Sequence, residues 1–173
     1  MKQSGRKWGA LIMLMGEFHH NLDEKGRLII PSKFRCELGN QIVITKGLDK
    51  CLFIYSLDEW NRIVQKISNL QFTKKNVRAF ERSFIGGASL IEFDKQGRIN
   101  ITSPLVHYAN IQKECVIIGV NERLEIWSLE EFESYMIENE KFLDEISENL
   151  FDMGAYDEAY YSPAKDLVHI PLL

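Results

Sequence analysis

Short apolar runs, separated by glycine-containing turns, dominate the first two thirds of the chain. Runs of roughly four to eight such residues are typical of β-strands. They predict strands over 18–22 and 28–30 around a first turn, and over 42–45 and 51–55 around a second. We expect the strands of each pair to form a β-hairpin.

Helical signals follow the strands. A proline and a glycine bracket a short predicted helix over 32–38. Ser56 and Glu59 form a capping box, because the serine oxygen can accept a hydrogen bond from the third amide of a helix. The apolar residues after Ser56, and those of 73–84, recur at helical spacing. The pattern therefore predicts a mixed α+β protein.

This order of elements occurs twice. The segment 22–28, Leu-Asp-Glu-Lys-Gly-Arg-Leu, returns at 93–99 as Phe-Asp-Lys-Gln-Gly-Arg-Ile. The segment 51–60 returns at 123–132, with a second capping box that begins at Ser128. Two matched blocks at nearly the same spacing indicate an internal repeat.

The repeat divides the chain into four segments. Residues 1–12 are an N-terminal extension, 13–84 the first repeat with its connecting helices, 85–153 the second repeat with a C-terminal helix, and 154–173 a flexible tail. The C-terminal helix is expected to be continuous to about Asn149.

The first residues resemble a signal peptide only superficially. A basic head precedes a short apolar run, but no small-residue cleavage site follows. We interpret 1–12 as an extension ahead of a start at Met13 or Met15. No apolar run reaches the roughly 18 residues that cross a bilayer, so no membrane partner is expected.

Composition narrows the class of protein further. The three cysteines are an odd number without metal-ligand spacing, which argues against a disulfide framework and a zinc site and favours a reducing cytoplasm. The net charge of −4 is unevenly distributed, with cations dominating 65–82 and acids dominating 130–158. An acidic total is therefore compatible with nucleic-acid binding.

The candidate site is a turn of the form Asp-x-x-x-Arg, which occurs at 23–27 (loop 1) and at 94–98 (loop 2). The aspartates can accept hydrogen bonds from turn amides, and the glycines can adopt the positive φ that a tight turn needs. Each arginine then keeps donors for a phosphate or a guanine edge. The predicted turn-structuring residues are Asp23, Gly26, Asp94 and Gly97.

Further cations surround the loops, and the predicted DNA-binding residues are Lys25, Arg27, Lys33, Arg35, Lys95 and Arg98. Lys33 and Arg35 lie on the helix that follows loop 1, and their counterparts in the second repeat are Pro104 and Val106. We therefore expect loop 1 to make more phosphate contacts than loop 2, and Arg27 to matter more for binding than Arg98.

The segments 15–31, 46–55, 78–82, 94–99 and 116–127 are together similar to the bacterial MraZ proteins. The resemblance covers most of the chain. It implies an α+β fold of two tandem, pseudo-symmetric β-barrel units of the AbrB type, with swapped hairpins and flanking helices.

The resemblance also implies a function. Members of the family regulate transcription of the division and cell-wall gene cluster, and we expect a repressor that binds short direct repeats of double-stranded DNA at the promoter. A homo-oligomeric ring and a cytoplasmic, nucleoid-associated protein are implied as well. Loop residues that match the family's motif become the DNA-contact candidates, namely Lys25, Arg27, Lys95 and Arg98. Neither a cofactor nor a small-molecule substrate is expected.

Other interpretations remain open. The loops of a ring-forming interaction module could instead bind an acidic protein partner, with incidental DNA binding. The basic helix of 73–84 either contacts DNA or forms a solvated or subunit-pairing face. An enzyme has only the paired Asp-Arg loops in its favour, because no catalytic motif is present. No metal site is predicted, since the adjacent His19 and His20 point to opposite faces of a strand.

Overall fold

The computed structural model describes residues 13–152. The first repeat contains β1 (Leu14–Asn21), β2 (Arg27–Ile29), α1 (Ser32–Leu38), β3 (Gln41–Lys46), β4 (Leu52–Ser56), α2 (Leu57–Ser68) and α3 (Lys75–Phe84). The second contains β5 (Ser89–Glu92), β6 (Arg98–Asn100), α4 (Ser103–Tyr108), β7 (Glu114–Asn121), β8 (Arg123–Ser128), α5 (Leu129–Glu140) and α6 (Leu143–Asp152). The predicted extension 1–12 and tail 154–173 lie outside the described residues.

The two repeats exchange strands. A six-stranded antiparallel sheet has the order β1-β7-β8-β4-β3-β5, and β2 pairs with β6 in a separate two-stranded ribbon. The predicted hairpins β3–β4 and β7–β8 are confirmed. A hairpin between β1 and β2 was expected, and this expectation is wrong. The reason is length, since all eight residues of β1 find partners in β7, whereas β2 has only three residues to offer.

When each strand is replaced by its equivalent in the other repeat, the same strand order results, read from the opposite edge of the sheet. The chain is therefore pseudo-symmetric. Equivalent residues face each other where the symmetry axis crosses each sheet, at Leu28 with Ile99 and at Phe53 with Glu125. Within the described residues β1 and β5 are edge strands and the sheet is open. The expected closed barrel is therefore not confirmed.

Apolar side chains pack on both faces of the six-stranded sheet. On one face, the β2–β6 ribbon and helices α1 and α4 cover a core that includes Leu28, Phe34 and Ile99. On the other face, α2, α3 and the start of α5 cover a second core that includes Phe84 and Trp127. The inward residues of the ribbon thus pack into this core, and its outward face lies outside the core.

The helix starts follow their capping signals. Ser56 Oγ accepts a hydrogen bond from the Glu59 amide at 3.3 Å, and Ser128 Oγ accepts one from the Glu131 amide at 3.5 Å. Both predicted capping serines are confirmed. None of the helices in the described residues is long and apolar enough to cross a bilayer.

The predicted continuous C-terminal helix is instead two helices, α5 and α6. The Asn139 side chain donates to the carbonyl oxygen of Tyr135 at 2.8 Å, where it competes with the helical backbone. The amide of Phe142 then donates to the Asn139 carbonyl at 3.0 Å in a tighter turn. The chain also divides into two compact units, and the second begins at Glu133 within α5.

Candidate nucleic-acid interface

Loop 1 is organised around one carboxylate. Asp23 Oδ1 accepts hydrogen bonds from the backbone amides of Lys25 and Arg27, both at 2.9 Å. Asp23 Oδ2 accepts a third bond from Arg27 Nε at 2.6 Å. Gly26 has a φ of 75°, in the left-handed region that favours glycine. The aspartate therefore fixes both the turn and the arginine.

Loop 2 repeats this arrangement in detail. Asp94 Oδ1 accepts from the backbone amides of Gln96 and Arg98 at 2.9 Å each, and Oδ2 accepts from Arg98 Nε at 2.7 Å. Gly97 has a φ of 76°. The two loops thus present their arginines in the same local geometry, as the duplicated sequence predicts.

Both aspartates are held in the charged form. The backbone amide of Arg27 is the main cause that lowers the pKa of Asp23, and the Arg27 guanidinium adds to it. The amide and guanidinium of Arg98 lower the pKa of Asp94 in the same way. A carboxyl that donors hold ionised is a poor candidate for a general acid.

We expect a carbon-detected NMR titration to give Asp23 and Asp94 pKa values below the ordinary aspartate value of about 3.9. Because the folded pKa values are lowered, the charged carboxylates stabilise the loops above the unfolded-state pKa. This stabilisation is lost as the pH falls through the folded values. The urea-unfolded chain is the control, and equal pKa values in the folded and unfolded chains would contradict the loop geometry.

The arginines keep most of their hydrogen-bonding capacity. Each uses Nε for its aspartate, and in the part of the chain that the structure describes the terminal nitrogens of Arg27 and Arg98 have no hydrogen-bond partner. The side chains are 33% and 24% exposed, respectively. A guanidinium held at one edge and free at the other is oriented in advance for a planar acceptor.

The β2–β6 ribbon brings both arginines onto one face. Leu28 and Ile99 point into the core and are buried, so the alternation of strand side chains places the flanking residues outward. Arg27 pairs with Asn100, and Ile29 pairs with Arg98. With a strand rise of about 3.3 Å and a strand spacing of about 5 Å, the arginine Cα atoms are about 8 Å apart. These four outward residues are defined here as the ribbon face.

Sequence reasoning missed two members of the ribbon face, Ile29 and Asn100. The signal was present, since each lies two residues after an arginine in a strand and must share its face. What the sequence did not show is that each lies directly opposite the arginine of the other repeat. That pairing depends on strand exchange.

Helix α1 lies behind loop 2. The expectation that loop 1 makes more phosphate contacts took this helix to support loop 1, and that premise is wrong for Arg35. The Ile30 amide donates to the Gly97 carbonyl at 3.0 Å, and Arg35 Nε donates to the Ile30 carbonyl at 3.0 Å. A Cβ atom added to Gly97 would lie 2.5 Å from Arg35 Cζ, so the guanidinium rests on this glycine. Strand exchange has carried the segment after loop 1 across to loop 2.

Loop 1 packs in the equivalent way against the segment that follows loop 2. The Ile101 amide donates to the Gly26 carbonyl at 2.8 Å, and α4 follows. Val106 occupies the position equivalent to Arg35, so this helix places no lysine or arginine behind loop 1. Lys33 lies away from both loops, where its Nζ donates to the carbonyl oxygen of Met15 at 3.2 Å.

A sequence profile for MraZ proteins, described as antitoxin-like, matches the chain twice, over 13–83 and 84–154. The chain belongs to the MraZ family. The resemblance found in the sequence is thereby confirmed, and each of the two MraZ matches contains one Asp-x-x-x-Arg loop. An antitoxin-like description fits a regulator.

The two loops of this MraZ chain differ in charge. Loop 1 contains Asp23 and Glu24 against Lys25 and Arg27, so its formal charges cancel. Loop 2 contains only one acid, Asp94, against Lys95 and Arg98, and the guanidinium of Arg35 rests on it as well. Counted with Arg35, loop 2 therefore has a net positive formal charge, whereas loop 1 has none.

Two other polar clusters lie outside the ribbon face. Arg123 and Glu125 form an ion pair at 2.6 Å on the face of the large sheet that α2 and α3 cover. Trp127 Nε1 donates to the same carboxylate at 3.0 Å. His19 contacts Glu17, with 2.7 Å between Nε2 and Oε1. Among residues 13–152, no three His, Cys, Asp or Glu side chains come together as a metal site.

Proposed function

We propose that the chain is a transcriptional regulator that binds double-stranded DNA sequence-specifically through its ribbon face. The observation that carries this proposal is the common face of β2 and β6, on which Arg27 and Arg98 present free terminal nitrogens. By family resemblance, the target is a set of short direct repeats at the promoter of the division and cell-wall gene cluster, with repression as the output. Binding there would place the protein on the nucleoid.

The dimensions and chemistry of the ribbon suit the major groove. This groove admits a two-stranded β-ribbon, and its guanine O6 and N7 atoms accept two hydrogen bonds from one arginine. Lys25 and Lys95 are exposed in the loops at opposite ends of the ribbon. From there they can reach the flanking phosphates, which fix the register of the protein on the duplex.

A footprint of the protein on its own upstream region tests the proposal. Protection of regularly spaced direct repeats, abolished by Arg27→Ala and Arg98→Ala, is the expected result. Uniform protection that ignores the repeats would overturn sequence-specific binding. A partner recovered from lysate after nuclease treatment, together with no promoter preference, would instead favour the interaction module.

A second part of the proposal is a homo-oligomeric ring. Next to α3 the chain exposes Leu70, Phe72 and Phe80, which are 49%, 72% and 38% accessible. The nearby cations Lys74, Lys75 and Arg82 are exposed as well. An apolar patch with a basic rim is typical of a protein interface.

The second compact unit exposes apolar residues among acidic ones, whereas the patch near α3 has a basic rim. Its exposed apolar residues include Ile137, Phe142, Leu143 and Leu150. Apart from Lys141, the charged residues of 133–150 are all acidic. We propose that this acidic apolar surface docks on the basic patch of a second copy. Such a head-to-tail contact closes into a ring when its rotation allows.

Lys75→Glu is expected to shift sedimentation toward smaller species, because it places an acid where the acidic helices of the next copy would dock. Lys113→Glu is the matched control, since it reverses the charge of an exposed lysine elsewhere. A wild-type protein that sediments as a monomer at DNA-binding concentrations would defeat the ring. Equal effects of both variants would defeat this docking surface.

A further inference from the structure

We infer that the two halves of the ribbon make different contributions to DNA binding. Loop 2 anchors the phosphate backbone with the help of Arg35, and the loop 1 half discriminates base pairs through Asn100. The inference rests on the proposed function, because both roles require a bound duplex. It adds to that function a different role for each end of the ribbon.

Of the two residues that lie opposite the arginines, Asn100 is polar and Ile29 is apolar. Asn100 lies opposite Arg27, whereas Ile29 lies opposite Arg98. The Asn100 Oδ1 atom is 3.5 Å from where a Cβ on Gly26 would lie, which places the amide beside loop 1. Its side chain is exposed and has no hydrogen-bond partner among residues 13–152.

An unpaired amide beside a free guanidinium matches base edges in the major groove. Asparagine can bond to adenine N6 and N7 together, and arginine to guanine O6 and N7. Ile29 at the other end can contact a thymine methyl group but forms no hydrogen bond. The half of the ribbon that contains Arg27 and Asn100 therefore holds the larger capacity to distinguish one base pair from another.

Arg35 gives loop 2 a different advantage. Its Nε bond to the Ile30 carbonyl and its contact with Gly97 fix the guanidinium beside the loop. Within the described residues its terminal nitrogens have no hydrogen-bond partner, and the side chain is half-buried. Together with Lys95 it forms a fixed cationic site. Sites of this kind neutralise phosphates and carry no base preference of their own.

The two roles predict different changes in two measurements. Affinity is measured by fluorescence anisotropy at several salt concentrations, on the promoter duplex and on duplexes with single base-pair changes in the repeats. Arg35→Gln should weaken binding to all duplexes by a similar factor and reduce the salt slope by about one for each phosphate that the variant no longer neutralises. Asn100→Ala should keep the slope and reduce discrimination at one base pair by about 10- to 100-fold.

Three variants serve as controls. Lys66→Gln removes an exposed cation from α2, which lies on the other face of the large sheet from the ribbon, so the slope should not change. Arg35→Lys keeps the charge and should recover most of the slope, which a purely structural role would not produce. Ile29→Ala occupies the position equivalent to Asn100 and should change discrimination less.

Each result decides the inference. An unchanged salt slope for Arg35→Gln overturns the anchoring role, even where its melting temperature falls, since the slope reports neutralised phosphates. Unchanged discrimination for Asn100→Ala overturns the reading role. Wild-type protein that binds scrambled and intact repeats equally defeats the proposed function itself, which separates that failure from these two.

Discussion

Replacing Arg27 and Arg98 together by alanine is expected to weaken binding to the promoter duplex by at least about 30-fold. Each well-placed arginine–guanine contact supplies about 1–3 kcal/mol of discrimination, which is about 5- to 150-fold in affinity. The two residues lie on opposite strands of one short ribbon and should act on neighbouring base pairs. Anisotropy at fixed salt measures the reduction in affinity.

The control for this double variant is Arg62→Ala with Lys66→Ala. It removes the same number of charges from α2, which lies on the other face of the large sheet. Its affinity should fall much less, because only long-range attraction is removed. Similar reductions in the two double variants would show that the ribbon face attracts DNA by charge alone and would contradict base reading.

Phe34→Ala is expected to lower the free energy of unfolding by about 3–5 kcal/mol. Phe34 is fully buried on α1, and its ring meets Phe18 edge to face at 5.2 Å between centroids. Domains of this size have total stabilities of about 5–15 kcal/mol, so the change removes a large share of the total. Urea unfolding followed by tryptophan fluorescence measures the change in stability.

Leu48→Ala is the control, because Leu48 is 59% exposed and lies in the turn between β3 and β4. Its effect on the free energy of unfolding should stay within about 0.5 kcal/mol. Helix α1 also holds Arg35 against loop 2. Partial unfolding of the Phe34→Ala variant should therefore disorder loop 2 before it disorders the strands of the large sheet. A Phe34→Ala chain as stable as the wild type would contradict the shared core.

Much of the local structure could be predicted from the sequence. The Asp-x-x-x-Arg turns, the capping serines and the hairpins β3–β4 and β7–β8 each depend on residues close together in the chain. Spacing and turn chemistry are enough to predict such elements. The same is true of the duplication, which the sequence shows directly.

The partners of β1 and β2 could not be predicted from local pattern. Which strand pairs with β1 depends on the length of the match between distant segments, and β7 offers a partner for every residue of β1. The position of Arg35 follows from that choice, because exchange carries α1 to the opposite loop. The break between α5 and α6 was also missed, since it depends on the side-chain bond of Asn139.

The central claim is that the ribbon reads DNA sequence, and one ratio tests it most directly. The affinity of the wild-type protein is measured for a promoter duplex with intact direct repeats and for a duplex of equal length and composition with the repeats scrambled, at one physiological salt concentration. Specific binders prefer their sites by about 10³-fold or more, and we predict a ratio of that size. A ratio near one would contradict the account.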